Sequence, residues 1–139
     1  MTQEEKQLLL RDFCARLPYR VIAYASEINK NGIITDVNVP YNMVNLTVDN
    51  DSGKYELVPL FDIRPYLRPM SSMTDEERLY FHRNSGRVQI LVDEEKLITK
   101  PFYGYTIHLF DWLNTHHFDY HNLIGKGLAI EAPEGMYKL

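Results

Sequence analysis

The chain has 139 residues, 45% of them hydrophobic and 24% charged, and a formal net charge of −4. This is an ordinary globular composition, and the length buries roughly two thirds of the unfolded surface, so no metal or disulfide is needed to hold one domain. The acidic balance argues against bulk attraction to nucleic acid or anionic lipid, while leaving room for a local basic patch.

The start, Met1-Thr-Gln-Glu-Glu-Lys, has acids where a signal peptide needs bases, and no apolar run approaches membrane-spanning length. The expectation is a cytoplasmic protein. Thr2 and Glu5 form a capping box that opens a helix, with Leu9, Leu10, Phe13, Cys14 and Leu17 on its apolar face and Pro18 as its stop. Cys14, the only cysteine, is then expected to be a small buried hydrophobe and not a reactive thiol.

From Tyr19 the period changes. Arg20–Tyr24, Ile33–Val39, Met43–Val48 and Lys54–Val58 read as strands, separated by turn clusters at Asn29–Gly32, Pro40–Asn42 and Asp49–Gly53. Pro65 and Pro69 bar regular pairing, so Asp62–Arg68 is expected to be a turn draped over the sheet. Thr74 and Glu77 form a second capping box, opening a helix with Leu79, Tyr80 and Phe81 that ends at Asn84-Ser-Gly86. Val88–Val92 and Leu97-Ile98 are strand candidates around the Asp93-Glu-Glu95 turn.

Tyr105–His116 reads as a helix with Leu109, Phe110, Leu113 and His117 on one face. Asp119 caps a further short helix with Tyr120, Leu123 and Ile124, which Gly127 stops and Leu128 closes against Leu123. Leu128–Ile130 then leads into an exposed tail broken by Pro133. The pattern predicts a single α+β domain over 1–139, strand-rich at about 19–60 and helical at about 70–139. Its architecture is a small antiparallel sheet or partly open barrel, with an N-terminal helix and a C-terminal helical pair.

Three segments carry a resemblance: Leu10–Tyr19, Asp62–Thr74, and Trp112–Tyr120 through Gly127–Met136. Together they resemble an uncharacterised family of small proteins from gut anaerobic bacteria, Bacteroidales-type, and their phages and mobile elements. The chain departs from that pattern at Arg20, His121 and Gly125, where the family carries Gly, Arg and Glu. The resemblance implies a phage or mobile-element setting and no particular chemistry.

His117 and His121 are four residues apart, as zinc ligands on one helix face would be. The intervening Phe-Asp-Tyr supplies no glutamate base, and Asp119 as a cap would break the helix between them. His117 therefore reads as a core histidine, while His116 and His108 read as surface or half-buried polar residues. No serine elbow, phosphate loop or dinucleotide fingerprint is present, and Gly125-Lys-Gly127 follows a helix instead of opening one. No cofactor or metal is expected.

Arg64-Pro-Tyr-Leu-Arg68 places two guanidinium groups about an aromatic ring, a composition suited to phosphate or a stacked base. The competing reading has both arginines snorkelling to nearby acids such as Asp62. The two C-terminal helices also suggest a helix-turn-helix, though with only His121, Asn122 and Lys126 to offer DNA. Ten tyrosines suit half-buried contact patches. The expectation is a non-enzymatic binding protein whose partner is another protein. The candidate binding residues are Arg64, Tyr66, Arg68, Tyr120 and His121. A nucleic-acid or nucleotide binder using Arg64, Tyr66 and Arg68 is the alternative, and a metal-dependent hydrolase the second.

Overall fold

The computed structural model describes residues 1–49, 53–85, 89–93, 96–100 and 103–137. The chain order is helix α1 (Gln3–Arg16), strands β1 (Ile22–Ala25), β2 (Lys30–Asn38), β3 (Met43–Asp49), β4 (Lys54–Pro59) and β5 (Ile63–Leu67), helix α2 (Asp75–Ser85), strands β6 (Gln89–Asp93) and β7 (Lys96–Lys100), helix α3 (Tyr103–Thr115) and strand β8 (Ile130–Glu131). Residues 50–52, 86–88, 94 and 95, on which parts of the expected turns and the first residue of the Val88 strand fall, lie outside the described residues. No helix among the described residues is long and apolar enough to cross a membrane.

Six strands form one sheet in the order β4-β3-β2-β1-β5-β8, and β6 and β7 form a separate hairpin. The fold is α+β with an open sheet, antiparallel throughout except for the parallel β5–β8 pair. The capping box at Thr2 and Glu5 starts α1, both reciprocal bonds being made. Leu9, Leu10 and Phe13 of α1 pack on the sheet face formed by Ala23, Ala25, Ile34, Val44, Leu46, Val58, Ile63 and Leu67. Alternation along each strand brings these residues to one side. A second cluster, Met73, Leu109, Leu113 and Phe118, joins α3 to the chain after β5.

Several expectations are corrected. Asp62–Arg68 is not a draped turn: Ile63–Leu67 is an internal strand, paired with β1 and β8. The ladder explains why Pro65 is tolerated. Ser26 N donates to Asp62 O at 3.3 Å, and two-residue alternation makes Tyr24/Arg64 the next bonded pair. Pro65, opposite Ala23, is the non-bonded pair just beyond Tyr24/Arg64, so its missing N–H faces away from β1, where β8 pairs only from Tyr66 onward.

Cys14 is exposed. The inward arc of α1 is Leu9, Leu10, Asp12, Phe13 and Arg16, so a buried ion pair occupies the space an all-apolar reading gives to cysteine. The first inter-strand turn is at Ser26–Asn29, with Asn29 at φ 49°. Gly32 lies inside β2, at a position where a Cβ would stand 2.6 Å from the Thr47 carbonyl oxygen, so glycine is needed there for close backbone approach and not for a turn. After α3 comes a run of turns in place of a short helix. Asp119 still caps it, its carboxylate accepting from Leu123 N at 2.8 Å and Ile124 N at 2.9 Å, and Gly127 stops it at φ 74°. Leu128 N closes on Leu123 O at 2.9 Å, one turn after the cap, leaving no room for a regular helix.

The tail is anchored where β1 and β5 part. The next bonded pair of that ladder would be Ile22/Tyr66, and the Tyr137 hydroxyl stands in it. It accepts from Ile22 N at 2.9 Å and donates to Tyr66 O at 2.7 Å. Burial raises the Tyr137 pKa far above its usual value, so the hydroxyl keeps its proton. Tyr137→Phe leaves both backbone groups without that partner and should cost about 1–3 kcal/mol, read as a lower urea midpoint at unchanged slope.

Candidate functional site

Residues 117–119 are the junction at which α1, β5 and α3 meet. Arg68 N donates to His117 O and Asp119 N donates to Arg68 O, both at 2.8 Å, extending β5 by one bridge to Phe118. Arg68 is fully engaged here. Its guanidinium grips Glu77 with two bonds of 2.9 and 2.7 Å and lies 4.2 Å over the Phe118 ring. The Glu77 carboxylate also accepts from Thr74 N, completing the second capping box. The Arg68 hydrogen bonds hold the Glu77 pKa down at about 2.

On the other side of Phe118 stands Arg16, wholly buried. Its Nε and Nη2 bond Asp12 at 2.6 and 3.1 Å, and Nη2 also donates to Phe118 O at 2.7 Å. The Tyr120 ring lies 4.8 Å from this guanidinium, and the Tyr120 hydroxyl donates to Asn114 at 2.7 Å. Burial raises the Tyr120 pKa. Asp12 further contacts His121 Nδ1 at 2.9 Å, with the imidazole 30% exposed. Tyr120 and His121 thus come together with Asp12 and Arg16, two residues that sequence reasoning passed over. Their four-residue spacing was visible, but nothing local says that it points inward.

His117 and His121 have different partners. The His117 ring stacks on Tyr137 at 3.6 Å, at a residue with φ 62°, whereas His121 turns to Asp12. Among the described residues no three His, Cys, Asp or Glu side chains are grouped to hold a metal ion. His116 is half-buried, its Nδ1 2.9 Å from Trp112 O.

Arg64 is exposed on the outer sheet face beside Tyr24, and half-buried Tyr66 follows on the same face, donating to Asn31 at 3.0 Å. Arg64 and Tyr66 are brought together there. Arg68, two residues on, is tied to Glu77, and Asp62 is occupied by Ser26 and Glu27 N. A cavity of about 640 Å³ opens between Arg68, Glu77, His116, Glu131, Glu134 and Tyr137. The Arg68 guanidinium on its wall already has its carboxylate.

The more exposed feature is apolar. Val39 and Tyr41 in the β2–β3 turn, Tyr55 and Leu57 on β4 and Phe61 just after it are 50, 75, 63, 59 and 68% exposed. Tyr55 and Leu57 alternate onto the face opposite buried Val58. The Leu60 N to Asn42 O bond, 2.9 Å, holds the Tyr41 turn beside Phe61. Sequence alternation alone could not separate this outward set from the core set on the same strands. Comparison of the chain with protein-family models, curated proteins and solved structures finds no match in any of the three.

His117 supplies a pH signature. Burial, reinforced by the Arg16, His116 and Arg68 charges, pushes its pKa down from 6.5 to about 4. The unfolded chain therefore binds the extra proton first, and stability falls as pH drops from 6.5 towards 4, by on the order of 3 kcal/mol. His117→Asn, which tolerates the left-handed backbone, should flatten that part of a denaturation-against-pH curve.

Proposed function

We propose that the protein works by binding another protein, in the cytoplasm and in a phage or mobile-element setting, through the apolar margin of its sheet. The observation that carries the reading is the group Val39, Tyr41, Tyr55, Leu57 and Phe61, exposed together although the chain buries a separate core. Aromatic side chains give large contact area at low entropic cost, and Tyr is enriched among residues that dominate binding energy. The margin also ends in an open strand edge, a ready acceptor for main-chain hydrogen bonds. Binding of nucleic acid has weaker support, because Arg68 is spent on Glu77 and leaves Arg64 as the exposed guanidinium of that segment.

A photoreactive benzoylphenylalanine in place of Tyr41 or Phe61, in cells that make the protein naturally, should give one discrete protein adduct. The same group in place of exposed Lys126 should not. Phe61→Ser should weaken binding of the identified partner about tenfold or more without lowering the melting temperature. Equal labelling at all three positions would sink the reading. So would steeply salt-dependent capture of nucleic acid that Arg64→Ala abolishes.

A further inference from the structure

We infer that the free edge of β4 pairs with the β4 edge of a second copy of this chain, antiparallel about a two-fold axis at Tyr55. This builds on the reading of the margin as a contact surface and names one occupant for part of it. Leu60 N bonds Asn42 O, continuing the register in which Met43 faces Pro59 and Val44 faces Val58. Alternation then makes Val44/Val58 and Leu46/Glu56 the bonded pairs with β3. The N–H and C=O groups of Tyr55 and Leu57 therefore point to the open side, and Pro59, with no N–H, falls where none is required.

A two-fold antiparallel pairing must oppose outward-bonding residues, which leaves three central registers. An axis at Glu56 sets two carboxylates face to face. An axis at Leu57 sets Glu56 against Val58 of the copy and leaves Lys54 without a charge partner. An axis at Tyr55 sets each Lys54 opposite a Glu56 of the copy, twice over. Both residues are exposed and, two apart on β4, lie on one face of the strand; Glu56 is opposite Leu46 in β3, and Lys54 is opposite Asp49 beyond a register shift in β3. Across the new junction they form a non-hydrogen-bonded pair, the kind in which side chains come closest. The two Tyr55 residues exchange their backbone bonds on the axis. The overlap ends at Leu57, so Val39, Tyr41 and Phe61 remain available to a different protein.

Sedimentation equilibrium of the full chain should show a reversible dimer of the 16.4 kDa protomer at micromolar to high-micromolar concentration, as about expected for a short edge contact. Lys54→Glu and Glu56→Lys should each weaken it about tenfold or more, by setting like charges opposite. Mixing the two single variants should restore dimers of one of each, and the double variant should dimerise as the native chain does. Tyr55→Pro should be monomeric with an unchanged circular dichroism spectrum, since it removes only an outward-facing N–H. A monomeric native chain, single reversals without effect, or singles that fail to complement would each overturn the pairing. Adduct formation from positions 41 and 61 to another protein would be untouched by such a failure, so the two readings are separately decided.

Discussion

A guanidinium with no access to water sets the terms for the rest of this molecule. Arg16 must be neutralised where it lies, and the chain does so by bringing Asp12, one turn back on α1, into a two-bond grip and by turning the Phe118 carbonyl towards it. A buried charge missing either partner costs far more than a surface pair contributes. The arrangement therefore acts mainly as a register lock, fixing which part of the distant C-terminal segment meets α1. Once Phe118 is placed, Arg68 stacks on its ring, Glu77 closes on Arg68, and α2 receives its cap.

The same junction explains the backbone at 117–119. His117 adopts a left-handed conformation that ends α3 and reverses the chain, letting Phe118 and Asp119 bridge to β5. Asp119 then uses both carboxylate oxygens on the following turn. Among the described buried side-chain polar atoms of this junction, Arg16 Nη1 and His117 Nδ1 are left without a hydrogen-bond partner. A site so closed on itself is suited to holding structure.

That margin reflects a division within single strands. Along β4, Val58 faces the core while Tyr55 and Leu57 face out, and the Lys54–Glu56 side carries charge beyond the reach of α1. Charges at an edge ordinarily discourage indiscriminate pairing. With opposite signs two residues apart they discourage most registers and favour one, so the edge can be selective without being closed.

The sequence alone determined what depends on short-range chemistry. Both capping boxes, the alternation of β2 and β3, the returning strand β4, the cap at Asp119 and the left-handed stop at Gly127 involve residues at most a few positions apart, and all were legible. Tertiary structure decided what local pattern leaves degenerate. Pro65 entered an internal strand because its nitrogen, which carries no hydrogen, faces where no bond is needed, and Cys14 was left outside because Asp12 and Arg16 took the inward arc. Neither outcome can be read from neighbours in the chain, since ladder phase and buried-charge pairing are set by segments about forty to a hundred residues away.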